Sequence, residues 1–174
     1  MYYFSHRVNR EVKEIYLETF LANFALALVF IFEPIYLYTL SHSLTYVLWF
    51  YVQVYAWYAV FISFGAKLAS LFGYKHSILL SNIFYVAYWI SLYLIGSHSI
   101  LFYITPILFA LQKSFFWPAF DADVAINDVK TQRGREIGAL FSTQELAFII
   151  GPLLGGIILS NFGFLPLFVL AIAL

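Results

Sequence analysis

Long apolar runs separated by short polar turns dominate this chain. Hydrophobic residues make up 63% of the 174 residues and charged residues only 10%, whereas soluble domains carry about 25% charged residues. A run of about 20 apolar residues is long enough to cross a bilayer as a helix. A helix also satisfies its own backbone hydrogen bonds, as lipid requires. The sequence therefore predicts an all-α membrane protein in contact with the lipid bilayer.

The apolar runs predict a six-helix bundle with five full spans and a truncated sixth. A charged cytoplasmic leader, residues 1–14, precedes a transmembrane region over residues 15–174. The spans are predicted over about 15–40, 44–64, 78–95, 100–120, 137–159 and 164–174. A helix over the sixth span would be about 16 Å long, whereas the hydrocarbon core of a bilayer is about 30 Å thick. The sequence is therefore expected to end inside a helix.

The loop cations predict the orientation. They precede the first span, lie between the second and third, and lie between the fourth and fifth. They are Arg7, Arg10, Lys13, Lys67, Lys75, Lys130, Arg133 and Arg135. Lys and Arg accumulate in cytoplasmic loops, so the N-terminus is predicted to be cytoplasmic. The protein itself is predicted to be integral to the plasma (inner) membrane.

Composition argues against several other functions. A net charge of zero gives no support to nucleic-acid binding. The chain has no cysteine, which excludes disulfides, thiolate metal sites and cysteine nucleophiles. Its four histidines show no metal-ligand spacing, and no nucleophile–base motif indicates a hydrolase. We therefore expect neither an enzyme nor a bound metal or cofactor.

Polar side chains in the first span form one candidate pathway for a substrate or proton. Glu33 precedes Pro34, and Asn23 lies about 80° away around the same helix at 100° per residue. Acids inside a membrane are usually functional, so Glu33 is predicted to bind a proton or a cationic group in a cavity. The alternative is an acid that snorkels to the outer interface beside a simple proline kink.

Further polar groups lie in the second, fourth and fifth spans. Gln53 shares a helical stripe with Tyr46 and Trp57, which predicts either a cavity wall or ordinary interfacial packing. Lys113, beside Gln112, and Glu145 lie at matched depths on consecutive spans. An unpaired charge at that depth would cost several kcal/mol. Lys113 and Glu145 are therefore predicted to pair, either as a bridge that opens during gating or as a static one.

Small residues in the fifth span predict a close helix crossing. The run contains Gly151, Pro152, Gly155 and Gly156. Gly151 and Gly155 are four residues apart, so they share one face without side chains. Another helix is expected to pack closely against that face.

Three segments between Phe64 and Gly156 resemble the N-terminal half of a major facilitator superfamily transporter. At the junction of spans 2 and 3 the family pattern is G-x-L-A-D-R-x-G-R-[RK], and the chain reads AKLASLFGYK from Ala66. Gly73 and Lys75 match, whereas Ser70 replaces the acid, which weakens the charged latch that this loop supplies in the family. Pro118, Asp128, Arg133, Gly134 and Gly138 resemble the family's helix 4–5 connection, and Gly151 to Gly156 its G-P-x-x-G-G motif.

This resemblance implies half of a twelve-helix transporter fold, with a small-molecule substrate bound between two six-helix halves. Each half comprises two inverted three-helix repeats, and the missing C-terminal half would supply the other wall. The expected function is secondary active transport of a small solute by alternating access, with protons as the candidate coupling ion and export as the candidate direction. The alternative is a non-transport six-helix scaffold or partner subunit.

Overall fold

A computed structural model describes residues 10–127 and 133–173 of the chain. In this described part the regular structure is entirely helical, so the predicted all-α class is confirmed. The helices are α1 (Arg10–Phe30), α2 (Phe32–Ser41), α3 (Leu44–Phe72), α4 (Tyr74–Leu94), α5 (Leu101–Asn127), α6 (Arg133–Phe162) and α7 (Phe164–Ala173). Most of the leader, including Arg7, lies outside the described residues.

The first predicted span is two helices rather than one. α1 ends at Phe30, α2 begins at Phe32, and Ile31 between them is in a turn. The cause is Pro34, which has no N–H to donate to the Phe30 carbonyl and whose ring crowds that carbonyl. The sequence predicted a proline interruption at this point but not a complete break.

The loop predicted between the second and third spans is reduced to one residue. α3 continues to Phe72, past the predicted end at 64, and α4 begins at Tyr74. Gly73 reverses the chain with φ 91° and ψ 144°, and its N–H donates to the Ala69 carbonyl over 3.0 Å. A positive φ of this kind favours glycine. Lys75 and His76, expected in a loop, lie in the first turn of α4.

The later helices are also longer than the predicted spans. α5 continues through Pro118 to Asn127, and α6 begins at Arg133 and runs for 30 residues. Polar residues after the apolar run continue the helix, because helical hydrogen bonding does not require an apolar side chain. Hydropathy therefore marks where a span is apolar rather than where its helix stops.

Among the described residues, four helical stretches are long and apolar enough to cross a membrane, one fewer than the five predicted full spans. They are Phe20–Ser41, Leu44–Phe72, Tyr74–Leu94 and Phe141–Phe162. α5 has 27 residues, so its length is sufficient. Its middle carries Gln112 and Lys113, which lower its hydropathy.

The helices form two compact units. The first unit comprises Met1–Tyr36 and Asp128–Leu174, and in its described part α1 packs against α6 and α7. The second unit comprises Leu37–Asn127, and there α5 packs against both α3 and α4. Leu28 and Ala147 are buried in the first unit, Phe50, Trp89 and Ala110 in the second. Many large apolar side chains remain exposed, which suits contact with lipid tails.

Candidate functional site

The helix break in the first unit carries a buried acid. Glu33 lies in the first turn of α2 and is only 2% exposed. Asn23, on α1, is also buried, with 8% of its surface exposed. This burial favours an acid held inside the protein over one that snorkels to the membrane surface. Glu33 is thus a buried ionisable group at a point where the backbone is interrupted.

Small residues bring α1 and α6 into direct backbone contact beside this break. A Cβ added at Gly151 would lie 2.6 Å from the Ala27 Cβ. A Cβ at Gly155 would meet the Leu28 carbonyl oxygen and lie 2.9 Å from Phe32 Cε2. Both glycines are therefore required for the observed approach of α6 to α1.

The neighbours of these two glycines are less constrained. Pro152 is half-buried within α6. Gly156 has more room, since its added Cβ would lie 3.5 Å from Phe32 Cζ, an ordinary contact. The close approach of α6 therefore rests on Gly151 and Gly155 rather than on the whole glycine run.

An equivalent crossing joins α3 and α5 in the second unit. A Cβ added at Gly65 would lie 2.6 Å from the Ser114 carbonyl carbon. Pro118 follows Ser114 by four residues and has no N–H to donate to that carbonyl, so a close Cα–H group from Gly65 is favourable there. On the other side, Ser77 Oγ of α4 donates to the Phe115 carbonyl over 2.9 Å.

This second crossing was not predicted. Its signal in the sequence is Gly65 followed four residues later by Ala69, both buried, which is the same small-residue spacing as Gly151 and Gly155. The family pattern begins at Ala66, so it includes Ala69 but not Gly65.

Lys113 lies against aromatic rings within the second unit. Its Nζ atom is 4.6 Å from the centroid of Phe109 on α5 and 6.0 Å from that of Tyr55 on α3. The side chain is half-buried, as is the neighbouring Gln112. Ring faces are negative and attract cations, so these contacts offset part of the cost of holding an ammonium group at this depth.

In the predicted stripe on α3, Tyr46 contacts another helix, whereas Trp57 and Gln53 contact residues of α3 itself. The Tyr46 and Phe102 rings are tilted by 30° with their centroids 4.1 Å apart, and Trp57 stacks on Phe61 with the ring centroids 5.5 Å apart. Gln53 Nε2 donates to the Trp49 carbonyl of its own helix over 3.3 Å. These contacts favour ordinary packing for both aromatics. For Gln53 they leave a role in the pathway as a prediction.

Lys113 belongs to the second unit and Glu145 to the first. Glu145 is exposed on α6. Their pairing stays a prediction.

The predicted gating residues lie at the ends of the helices. Ser70 is exposed, and its hydroxyl donates to the Lys67 carbonyl over 2.8 Å. Lys75 is exposed on α4, and Gly134 is exposed near the start of α6. Asp128 and the side chain of Arg133 lie outside the described residues. A latch role for this group stays a prediction.

One further acid lies just after the predicted fourth span. Partial burial raises the pKa of the Asp121 carboxyl above its ordinary value.

Among the described residues no three His, Cys, Asp or Glu side chains are grouped so as to hold a metal ion.

Comparisons with known proteins identify the fold family. A comparison with curated proteins finds no match. A comparison with protein families matches residues 15–174 to the Major Facilitator Superfamily. That match covers every helix after the start of α1, including the broken helix with Glu33 and both small-residue crossings. This integral membrane protein therefore belongs to the major facilitator superfamily, whose members transport solutes across membranes.

Proposed function

We propose that this protein moves a small solute across the plasma membrane by alternating access, driven by a proton gradient, rather than acting as a scaffold or an enzyme. The observation that carries this proposal is Glu33, an acid 2% exposed at a break between two helices. A buried carboxyl changes its charge at a high energetic cost, so its protonation can be coupled to a movement of the interrupted helix.

The helix crossings inside each unit support alternating access. If α1 and α2 count as one span, the first unit contains spans 1, 5 and 6 and the second contains spans 2, 3 and 4. In the family each half consists of two inverted three-helix repeats, so span 1 is equivalent to span 4 and span 2 is equivalent to span 5. The α1–α6 crossing then corresponds to the α3–α5 crossing, and both are formed by small residues.

The charge distribution supports a cytoplasmic N-terminus. The second six-helix half that the family implies would form the other wall of the solute path. Lys113 and Glu145 are candidate gating groups, with Gln53, Gln112 and Asn23 as polar positions along the path.

Membrane vesicles test this function directly. We would prepare them from cells that express the protein from its own gene and from cells that lack the gene. Only the former should accumulate or expel a solute when a pH gradient is imposed, and a protonophore should abolish this movement. Identical solute movement in both preparations would leave the scaffold as the better explanation.

The predicted Lys113–Glu145 pair has its own test. Neutralising either residue alone, with Lys113→Gln or Glu145→Gln, should reduce transport strongly because the other charge is left at membrane depth. The double variant should be less impaired than either single one. As a control, Lys67→Gln combined with Glu145→Gln should show additive effects, since Lys67 is exposed on α3. Additive effects for Lys113 and Glu145 would show that they do not interact.

A further inference from the structure

A proline interrupts the hydrogen bonding of α5 at a buried point. Pro106 lies inside α5 and has no N–H to donate to the Phe102 carbonyl. Both residues are buried, and α5 nevertheless continues from Leu101 to Asn127. Because nearly all buried carbonyls in proteins accept a hydrogen bond, we expect another donor to serve the Phe102 carbonyl.

A buried hydroxyl lies in the same turn as this carbonyl. Thr105 is fully buried, and its Oγ1 atom has no hydrogen-bond partner among the described residues. In a helix a threonine hydroxyl reaches towards the carbonyls three and four positions earlier, here Phe102 and Leu101. The Leu101 carbonyl has the Thr105 N–H as its helical donor, whereas the donor to Phe102 is the one that proline removes.

The packing around Thr105 is aromatic. Three positions earlier, the Phe102 ring lies 4.1 Å from the Tyr46 ring of α3 between centroids. Four positions later, Phe109 stacks on Tyr88 of α4 with the centroids 4.3 Å apart. An unpaired hydroxyl in such surroundings destabilises a protein. A buried water is stable where it has polar partners of its own, and the turn offers two.

We propose that one water molecule binds between the Thr105 hydroxyl and the Phe102 carbonyl. The water accepts a hydrogen bond from Thr105 Oγ1 and donates one to the carbonyl oxygen. It takes the place of the N–H that Pro106 lacks, so it holds this turn of α5 together. The inference does not depend on the proposed transport function.

The second proline of α5 shows a different solution to the same problem. Pro118 removes the helical donor to the Ser114 carbonyl, and Gly65 of α3 comes so close that an added Cβ would lie 2.6 Å from the carbonyl carbon. Phe102 contacts α3 through its ring instead. Within residues 101–110, Thr105 is the one buried polar side chain, so the partner at Pro106 comes from α5 itself.

Thr105→Val tests the site, because valine has nearly the same shape without the hydroxyl. Loss of the bridging water would leave the Phe102 carbonyl unpaired and should lower Tm in detergent by about 2–12 °C. A Tm that rises or stays the same would show that the hydroxyl is simply unpaired, which overturns the proposal.

Thr143→Val is the matched control on α6. The Thr143 hydroxyl donates to the Ala139 carbonyl over 2.9 Å, and this carbonyl also has the Thr143 N–H as its helical donor. The control should therefore lower Tm by less than Thr105→Val. An equal fall would show that the loss at Thr105 is not specific to the proline turn and would count against the water site.

Pro106→Ala restores an N–H to the Phe102 carbonyl, so the water is no longer needed there. In that background Thr105→Val should leave Tm unchanged or raise it. The same fall in both backgrounds would show that the hydroxyl does not act on the Phe102 carbonyl.

A density map of the unsubstituted protein that resolves ordered water is an independent test and needs no variant. We expect one water within hydrogen-bonding distance of both Thr105 Oγ1 and the Phe102 oxygen. A Thr105 hydroxyl that donates directly to the Phe102 carbonyl, with no water between them, would refute the site even if Thr105→Val lowers Tm.

Discussion

Replacing Gly65 by alanine should destabilise the protein by roughly 1–3 kcal/mol, the usual cost of overpacking a well-packed contact. The added methyl group would meet the Ser114 backbone, with its Cβ 2.6 Å from the carbonyl carbon. A backbone group cannot move aside as a flexible side chain does, so α3 and α5 must separate. Thermal unfolding in detergent would measure the loss as a fall of about 2–4 °C in Tm per kcal/mol.

Gly138 provides the matched control on α6. A Cβ added there has nothing within 4 Å, and alanine in a helix is favoured over glycine by roughly 0.5–1 kcal/mol. Gly138→Ala should therefore leave Tm unchanged or raise it. Equal effects of Gly65→Ala and Gly138→Ala would show that close packing at Gly65 does not limit stability.

Adjacent glycines allow the same comparison at the α1–α6 crossing. Gly155→Ala should be destabilising, because its Cβ would meet the Leu28 carbonyl and the Phe32 ring. Gly156→Ala should be tolerated, because its Cβ would make an ordinary contact 3.5 Å from Phe32 Cζ. The two positions are consecutive in one helix, so their helix propensity is closely matched. A larger loss at Gly156 than at Gly155 would contradict the observed crossing.

The sequence predicts the helices of this fold better than it predicts their contacts. A helix lies at each of the six predicted spans, because a backbone in lipid has few alternatives to a helix. Hydropathy did not place the ends, since polar residues such as Asp121 and Asp123 continue α5 beyond its apolar run. The break at Ile31 was not predicted either. A proline in a sequence indicates a kink, but whether the helix is interrupted there depends on the contacts of its neighbours.

Contacts between helices depend on which helix faces meet. A single sequence can indicate one such face, but it does not indicate which residues pack against it. Gly151 and Gly155 were predicted to form a small-residue face, but their partners Ala27 and Leu28 are ordinary apolar residues. The rings around Lys113 were not predicted either. Tyr55 lies on a different helix, 58 positions earlier in the chain, and only packing brings it to the lysine.

Replacing Glu33 by glutamine should uncouple transport from the proton gradient without unfolding the protein. Glutamine has nearly the same shape as a protonated glutamate, so the buried position next to Phe32 should still be filled. It cannot take up or release a proton, however. A pH difference of one unit supplies about 1.4 kcal/mol per proton, which sustains about a tenfold solute ratio. In Glu33→Gln this ratio should fall to about one, while exchange of labelled for unlabelled solute continues.

The measurement should hold the membrane potential at zero with potassium and valinomycin, so that only the pH gradient drives transport. Glu33→Asp serves as the conservative variant, because it keeps a titratable group at the helix break and should retain part of the coupling. If Glu33 were only structural, Glu33→Gln would lower Tm and would reduce exchange and accumulation together. Accumulation that persists in a stable Glu33→Gln protein would place the coupling proton on another group, with Glu145 the next acid to replace.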